Sequence, residues 1–231
     1  MKLSIVISER NDPFGTLVTI RSILEELKNC IFKTEIIIVD NSDKEEMRKV
    51  LTDIILPFLM DGSVKVFNQK FPCLFSARDL GVAKSTGEYI LIIDSHCLIM
   101  KDSIKNMVEF ADKTDNLGML FGLMCYSVAH ESDAFCDRDV SKFTGIRLNQ
   151  YEGKGNSFKI PLRSMPMMIK RSIWDEIRGY YPLSTYKLIW GGGDFLISFK
   201  PLLLGYDNWI LEGEPKDKKE FLGKEYNRYY Y

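Results

Sequence analysis

The sequence predicts an α/β fold, a single domain with a mostly parallel central sheet and helices on both faces. Three observations predict it. Apolar strand-like runs alternate with one-sided helical periods from Leu3 to Asp94. The runs are apolar on consecutive residues, as strands covered on both faces are. The length of 231 residues fills one such core and leaves little for a second domain.

Leu3 to Ser8 (LSIVIS) is a β-branched run cut off by polar residues and Pro13, and it reads as a buried strand entering a loop. From Thr16 to Leu27 the residues Leu17, Ile20, Ile23, Leu24 and Leu27 recur at helical spacing, so a helix is expected from Gly15/Thr16. EIIIVD (Glu35 to Asp40) repeats the strand pattern. Asn41-Ser42-Asp43 is a turn and cap, followed by a helix over Glu45 to Leu59 with Met47, Val50, Leu51, Ile54 and Ile55 inward. Val64 to Phe67 is a weaker strand, Phe75 to Lys84 a helix stopped near Thr86-Gly87, and Glu88 to Asp94 a nearly all-apolar strand. Beyond it, Ser103 to Ala111 reads as a helix and Leu117 to Cys125 as a strand. Val128 to Asn156 has no clear period and reads as loops. Ile169 to Ile177 looks helical, and so does Asp194 to Leu204, with a bend expected at Pro201. Glu212 to Tyr231 is charged and aromatic without periodicity.

Composition excludes several classes of function. Lys+Arg 31 against Asp+Glu 32 gives a net charge of −1, so no global field attracts a polyanion or an anionic membrane. No apolar run reaches the ~20 residues that span a bilayer, and MKLSIVISER is too short and too soon charged for a secretory leader. A soluble, cytoplasmic protein is expected. Five cysteines without a CxxC pair suggest neither a disulfide framework nor a thiolate zinc site.

Parallel sheets of this kind bind ligands at the carboxyl ends of their strands. Glu9 to Asp12, Asp40 and Asp94 all fall there. In Asp94-Ser95-His96 an extended backbone points residues i and i+2 the same way, so a carboxylate and an imidazole converge on one ion. Oxygen with nitrogen ligation suits Mn²⁺ or a similar first-row divalent metal better than Ca²⁺, with positions left for phosphate oxygens and water. By spacing alone, a strand-end Asp serves equally as a turn or helix cap.

The segment ILIIDSHC (Ile90 to Cys97) resembles the D-x-H form of the metal motif in GT-A-fold glycosyltransferases of the family 2 type. The polypeptide N-acetylgalactosaminyltransferases carry that form. Four further segments follow the same pattern. WGGGDFLISFK (Trp190 to Lys200) resembles their W-G-G segment, SIVISERND (Ser4 to Asp12) their H-N-E strand at Arg10-Asn11-Asp12, and SARDLGVAKSTGEYI (Ser76 to Ile90) their A-R-x-x-G segment. EIIIVDNS matches the strand that ends in V-D-D.

The resemblance implies a GT-A, Rossmann-like domain that transfers a sugar from a UDP-sugar to an acceptor hydroxyl. Residues 1–100 would form the nucleotide-binding half, 101–210 the acceptor half, and 211–231 a C-terminal lid or tail. Asp94 and His96 would hold Mn²⁺ or Mg²⁺, which offsets the charge that develops on the leaving diphosphate. Asn11, Asp12 and Asp40 would lie at the nucleotide, Asp40 accepting from a uracil N–H, and Arg78 near the donor's phosphates or ribose. Ser95 keeps the metal loop tight. Trp190 would stack on a sugar while Gly191 and Gly192 admit donor or acceptor close to the backbone. Asp194 would deprotonate the acceptor hydroxyl at a helix N-terminus. Each has a plain alternative: Asp40 a turn residue, Arg78 a surface helix residue, Asp194 an N-cap, Trp190 a core residue.

The pattern also departs from the family's. Gly193 stands where Glu usually follows W-G-G. No late His completes the metal site, His130 being the only other His, so Glu212, Glu214 or Asp217 would have to substitute. No A-G-G-like stretch lies near Arg163 to Met168, which leaves the donor sugar open, N-acetylhexosamine included. The acceptor is open too: a glycan, a protein Ser/Thr, or a modified nucleic acid met by the Lys- and Tyr-rich tail Lys216 to Tyr231. Two rival functions remain at this level, a catalytically degenerate nucleotide- or sugar-binding module and a nucleotidyltransferase. Oligomeric state has no sequence signal.

Overall fold

The computed structural model describes residues 1–99, 101–122, 125–127, 153–154, 157–159, 165–186 and 193–211. Its first part builds as the alternation requires: β1 (Leu3–Glu9), α1 (Pro13–Leu27), β2 (Thr34–Asp40), α2 (Glu45–Met60), β3 (Val64–Asn68), α3 (Leu74–Ala83) and β4 (Tyr89–Asp94). β1 pairs in parallel with β2 on one side and β4 on the other, and β2 with β3. The register places Glu9 beside Asp40 and Ser8 beside Asp94, so the polar strand ends gather on one edge.

The second part completes the sheet. β5 (Cys97–Ile99), α4 (Ser103–Lys113), β6 (Leu117–Gly122), β7 (Cys125–Ser127), β8 (Gly153–Lys154), β9 (Ser157–Lys159) and β10 (Met167–Lys170) are followed by α5 (Arg171–Ile177), a 3-10 turn (Leu183–Thr185), α6 (Gly193–Leu203) and β11 (Asp207–Leu211). The nine-stranded order is β3-β2-β1-β4-β10-β6-β11-β9-β8, and β5 pairs with β7 as a separate ribbon. β10 enters antiparallel between β4 and β6, and β9 antiparallel to β11, in an otherwise parallel sheet.

Both faces are covered, as the apolar strands require. Ile5, Ile7, Ile36, Ile38, Leu91 and Ile93 pack on α1, α2 and α4 through Ile20, Ile23, Leu51, Ile55 and Met107. Val6, Ile90, Ile92, Met167 and Ile169 pack on α3, α5 and α6 through Phe75, Val82, Trp174 and Ile197. Alternate residues of β1 and β4 therefore serve opposite faces, the period-2 rule applied to strands apolar on both sides.

Several expectations need correction. α1 starts at Pro13, capped by the Asp12 side chain on Gly15 N–H (3.1 Å), because Pro needs no hydrogen bond in the first turn. The run from Ile169 is not one helix: Met167–Lys170 is a strand and the helix begins at Arg171. Tertiary pairing to two neighbours decides a short apolar run that periodicity leaves ambiguous. α6 starts at Gly193 and continues through Pro201. Among the described residues no helix is long and apolar enough to cross a membrane.

Candidate active site

Asp94 ends β4 and Ser95-His96 turn away from it towards β5. The expectation that Asp94 and His96 project together from extended backbone is therefore corrected, since the strand stops at Asp94. The turn is pinned instead by α1. The buried Thr19 hydroxyl accepts the Cys97 N–H (2.8 Å) and lies 2.9 Å from the Ser95 and Cys97 carbonyls. Ser22, one helical turn on, accepts the Ile99 N–H at 3.1 Å. Polar residues at that spacing give α1 a stripe that satisfies the exposed edge of β5.

Asp94 meets a cation that lies inside the protein. Arg78, on α3, is 1% exposed, and its Nη2 donates to Asp94 Oδ1 at 2.9 Å. Its Nη1 donates to Asp194 Oδ1 at 2.6 Å and to the Tyr180 hydroxyl at 2.9 Å. A single guanidinium thus links residues that are 100 positions apart in the chain. A planar fork of donors suits this bridging where a point charge would not. Burial works against the Arg78 charge, but Tyr180 and the two carboxylates overcome it and hold the guanidinium protonated. Tyr180 is itself buried between Phe75, stacked at 5.3 Å, and Trp174, edge-on at 5.7 Å. Burial pushes its hydroxyl far above the ordinary tyrosine range, so it stays a neutral O–H.

The sequence reading puts Arg78 near the donor's phosphates or ribose; in the structure it lies behind Asp94 and Asp194. Its amino groups are spent on the two carboxylates and Tyr180, with no exposed surface for a phosphate. Asp194 is inside the first turn of α6 and not its N-cap. Side-chain exposures of 36% for Asp94 and 24% for Asp194 leave both carboxylates a face to solvent.

The glycine that departs from the family pattern has a local reason. A Cβ on Gly193 would stand 2.0 Å from Phe75 Cε1, so no larger residue fits while that ring packs on Tyr180. Glu at this place and Phe75 exclude each other sterically.

The nucleotide-side residues lie on the neighbouring loops. Asn11 takes a left-handed φ of 55°; its N–H donates to Ser42 Oγ (3.0 Å), its Nδ2 to Asp43 (2.5 Å), and its Oδ1 accepts Lys44 N–H (3.2 Å). It stitches the loop after β1 to the loop after β2. Asp40 is buried, accepting Ser42 N–H at 2.9 Å, with Arg48 3.7 Å from its other oxygen. Beside it opens a cavity of about 440 Å³, lined by Asp40, Glu45, Arg48, Asn68 and further α2 residues. Sequence reasoning missed Ser42, Arg48 and Tyr180, and it noted Glu9 only as part of a polar strand end. The side-chain amide of Asn41, which accepts Gln69 Nε2 and Cys73 N–H, was equally invisible in one dimension.

Asp94 and His96 are the residues here that could hold a divalent metal. His96 Nδ1 lies 3.5 Å from Asp12 Oδ2. In metal sites a carboxylate beside one imidazole nitrogen orients the ring and leaves the other nitrogen for the ion. The donor set fits the ion. Among the described residues no group of three or more His, Cys, Asp or Glu gathers into a closed cage. Trp190, Gly191, Gly192, His130 and the candidate substitutes Glu212, Glu214 and Asp217 lie outside the described residues.

Comparison with known proteins gives the family and the fold. Residues 4–175 match the model of glycosyl transferase family 2. N-acetylgalactosaminyltransferase 7 of Drosophila melanogaster is 27% identical over 217 residues, 86% of this chain and 36% of that protein. The chain thus spans about a third of the length of that relative. Among solved structures, GalNAc-T7 with UDP, GalNAc and Mn²⁺ superposes with a TM-score of 0.67 at 21% identity, over 91% of this chain and 41% of its own. S. aureus TarS 1-349 in complex with UDP gives 0.60 at 16% identity, over 95% and 63%. The family model covers most of the chain, and the protein belongs to glycosyl transferase family 2.

Proposed function

We propose that this chain transfers a sugar from a UDP-sugar to an acceptor hydroxyl with the help of Mn²⁺ or Mg²⁺. The observation that carries the proposal is the Arg78 bridge, which brings Asp94 and Asp194 to one strand-end surface although they come from separate segments. Relatives described with UDP, GalNAc and Mn²⁺ support the same donor and metal classes.

Each residue has a role in this reading. Asp94 and His96 would hold the metal, with Asp12 orienting His96 through Nδ1. When bound, the ion supplies positive charge to the departing diphosphate. Asp40 accepts the uracil N–H, and Asn11 fixes the loop that carries Asp12. Asp194 faces the acceptor and takes its hydroxyl hydrogen, while Arg78 fixes the carboxylate's orientation from behind. Ser95 is buried in the turn, and its carbonyl accepts the Thr19 hydroxyl of α1, which keeps the loop tight. Residues 1–100 would serve as the nucleotide half, 101–210 as the acceptor half and 211–231 as a lid or tail, with an N-acetylhexosamine among the donor sugars to test first.

The test is release of nucleoside diphosphate from a panel of nucleotide sugars, with Mn²⁺ and with chelator. Slow donor hydrolysis needs no acceptor. We expect metal-dependent UDP release, abolished in Asp94→Ala with the circular dichroism spectrum unchanged. Full activity in Asp94→Ala would overturn the metal assignment, and UDP binding without turnover of any donor would favour a binding module.

A further inference from the structure

Glu9 is the last residue of β1 and is fully buried. An ionised carboxylate there needs donors, and it has two: Asp12 N–H on Oε1 at 2.6 Å and the Ser42 hydroxyl on Oε2 at 2.7 Å. Its register partner at the end of β2 is Asp40, 3% exposed and within hydrogen-bonding reach. Like charges in a poorly solvated site repel, so a second negative charge beside Asp40 is disfavoured and the Glu9 carboxyl is raised. Burial raises the Glu9 carboxyl most, the two donors pull it down, Asp40 pushes it up again, and it settles at about 7.

The charged groups on the surrounding elements are few. Asp40 stands on β2 with Arg48 of α2 behind it, Asp12 heads α1, and Asp43 in the next turn is paired with Arg10. On the β4 side Asp94, register partner of Ser8, is already held by Arg78 of α3. No cation among these reaches Glu9 by an ion pair, so a proton is what balances it.

We propose that Glu9 is a positioning residue of the nucleotide pocket that works in its protonated form, hydrogen-bonding Asp40 so that Asp40 remains an anion able to accept a base N–H. This rests on the role given to Asp40 above. Glu9 also reaches the other pocket residues directly: Ser42, which donates to Glu9, accepts the Asn11 N–H, and Asp12 donates its own N–H to Glu9. Losing the proton adds a second buried negative charge beneath all three. Nucleoside affinity therefore falls as pH rises.

Uridine is the probe, since it carries no phosphate to titrate and needs no metal. Binding to the full chain is measured by calorimetry at pH 6 and pH 8 for wild type, Glu9→Gln and Asp40→Asn. With a protonated fraction of about nine-tenths at pH 6 and one-tenth at pH 8, wild-type affinity should drop about tenfold. Glu9→Gln keeps a donor and carries no charge, so it should bind at both pH values with a flat profile. Equal wild-type affinity at pH 6 and 8, or the wild-type slope persisting in Glu9→Gln, overturns the proposal for Glu9 alone. No uridine binding at either pH, or Asp40→Asn binding as wild type does, overturns the role of Asp40 and this proposal with it.

Discussion

Replacing Arg78 by Met tests the centre of the site. The substitution keeps an apolar side chain of similar length and removes a buried cation that holds Asp94, Asp194 and Tyr180. Breaking a buried ion pair from one side costs about 3–5 kcal/mol, most of it the penalty for the charge left behind. Here the abandoned carboxylates are 36% and 24% exposed and rehydrate in part, which puts the loss near the low end, about 3 kcal/mol. For a chain of this size that is a fall in Tm of roughly 6–12 °C. Urea denaturation should show a lower midpoint with the slope unchanged. Arg78→Lys should fall between, because an ammonium reaches one carboxylate at a time. A double-mutant cycle sharpens the test. Asp194→Asn destabilises the wild type, where it removes a partner of Arg78, but stabilises Arg78→Met, where it removes one of two facing anions. A loss below 1 kcal/mol for Arg78→Met, or the same effect of Asp194→Asn in both backgrounds, would refute the bridge.

Two further predictions concern stability. Glu35 is buried and accepts from Ser4 (2.7 Å), Lys65 (2.9 Å) and both Thr86 groups, and although burial pushes its carboxyl up, these partners hold it at about 2. A lowered folded-state value gives stability that is present above the unfolded value of 4.5 and lost as pH falls towards 2. Glu35→Gln should therefore cost up to about 3 kcal/mol at pH 7, and its denaturation curve should meet the wild type's near pH 2; a constant gap would refute this. Gly193→Ala drives a Cβ into the Phe75 ring and should destabilise by about 1–3 kcal/mol despite alanine's better helix propensity, read as a lower Tm. An unchanged or raised Tm would show that Phe75 gives way.

How much of this was legible in the sequence follows the range of the forces involved. β1, β2 and β4 were readable because strands buried on both faces must be apolar at every position, and α1 and α4 because their apolar residues keep helical spacing. β10 was not, because Met167-Met168-Ile169 suits a strand and a helix equally, and pairing with β4 and β6 decides between them. β11 hid for another reason. Its Asn208 is buried, accepting Met119 N–H at 2.9 Å and donating to the Ser198 carbonyl at 2.8 Å, so a core position there looks polar. The site divides in the same way. Asp40, Asp94 and Asp194 stand at element ends, where sequence patterns locate them. Arg78 acts from inside α3 and Glu9 from a buried strand end, and what gives them meaning is the distance to residues 116 and 31 positions away. A buried arginine in the sequence is a helix residue among others. Only the fold makes it the tie between two carboxylates, and that long-range tie is why the Arg78 cycle probes the site more directly than any motif substitution.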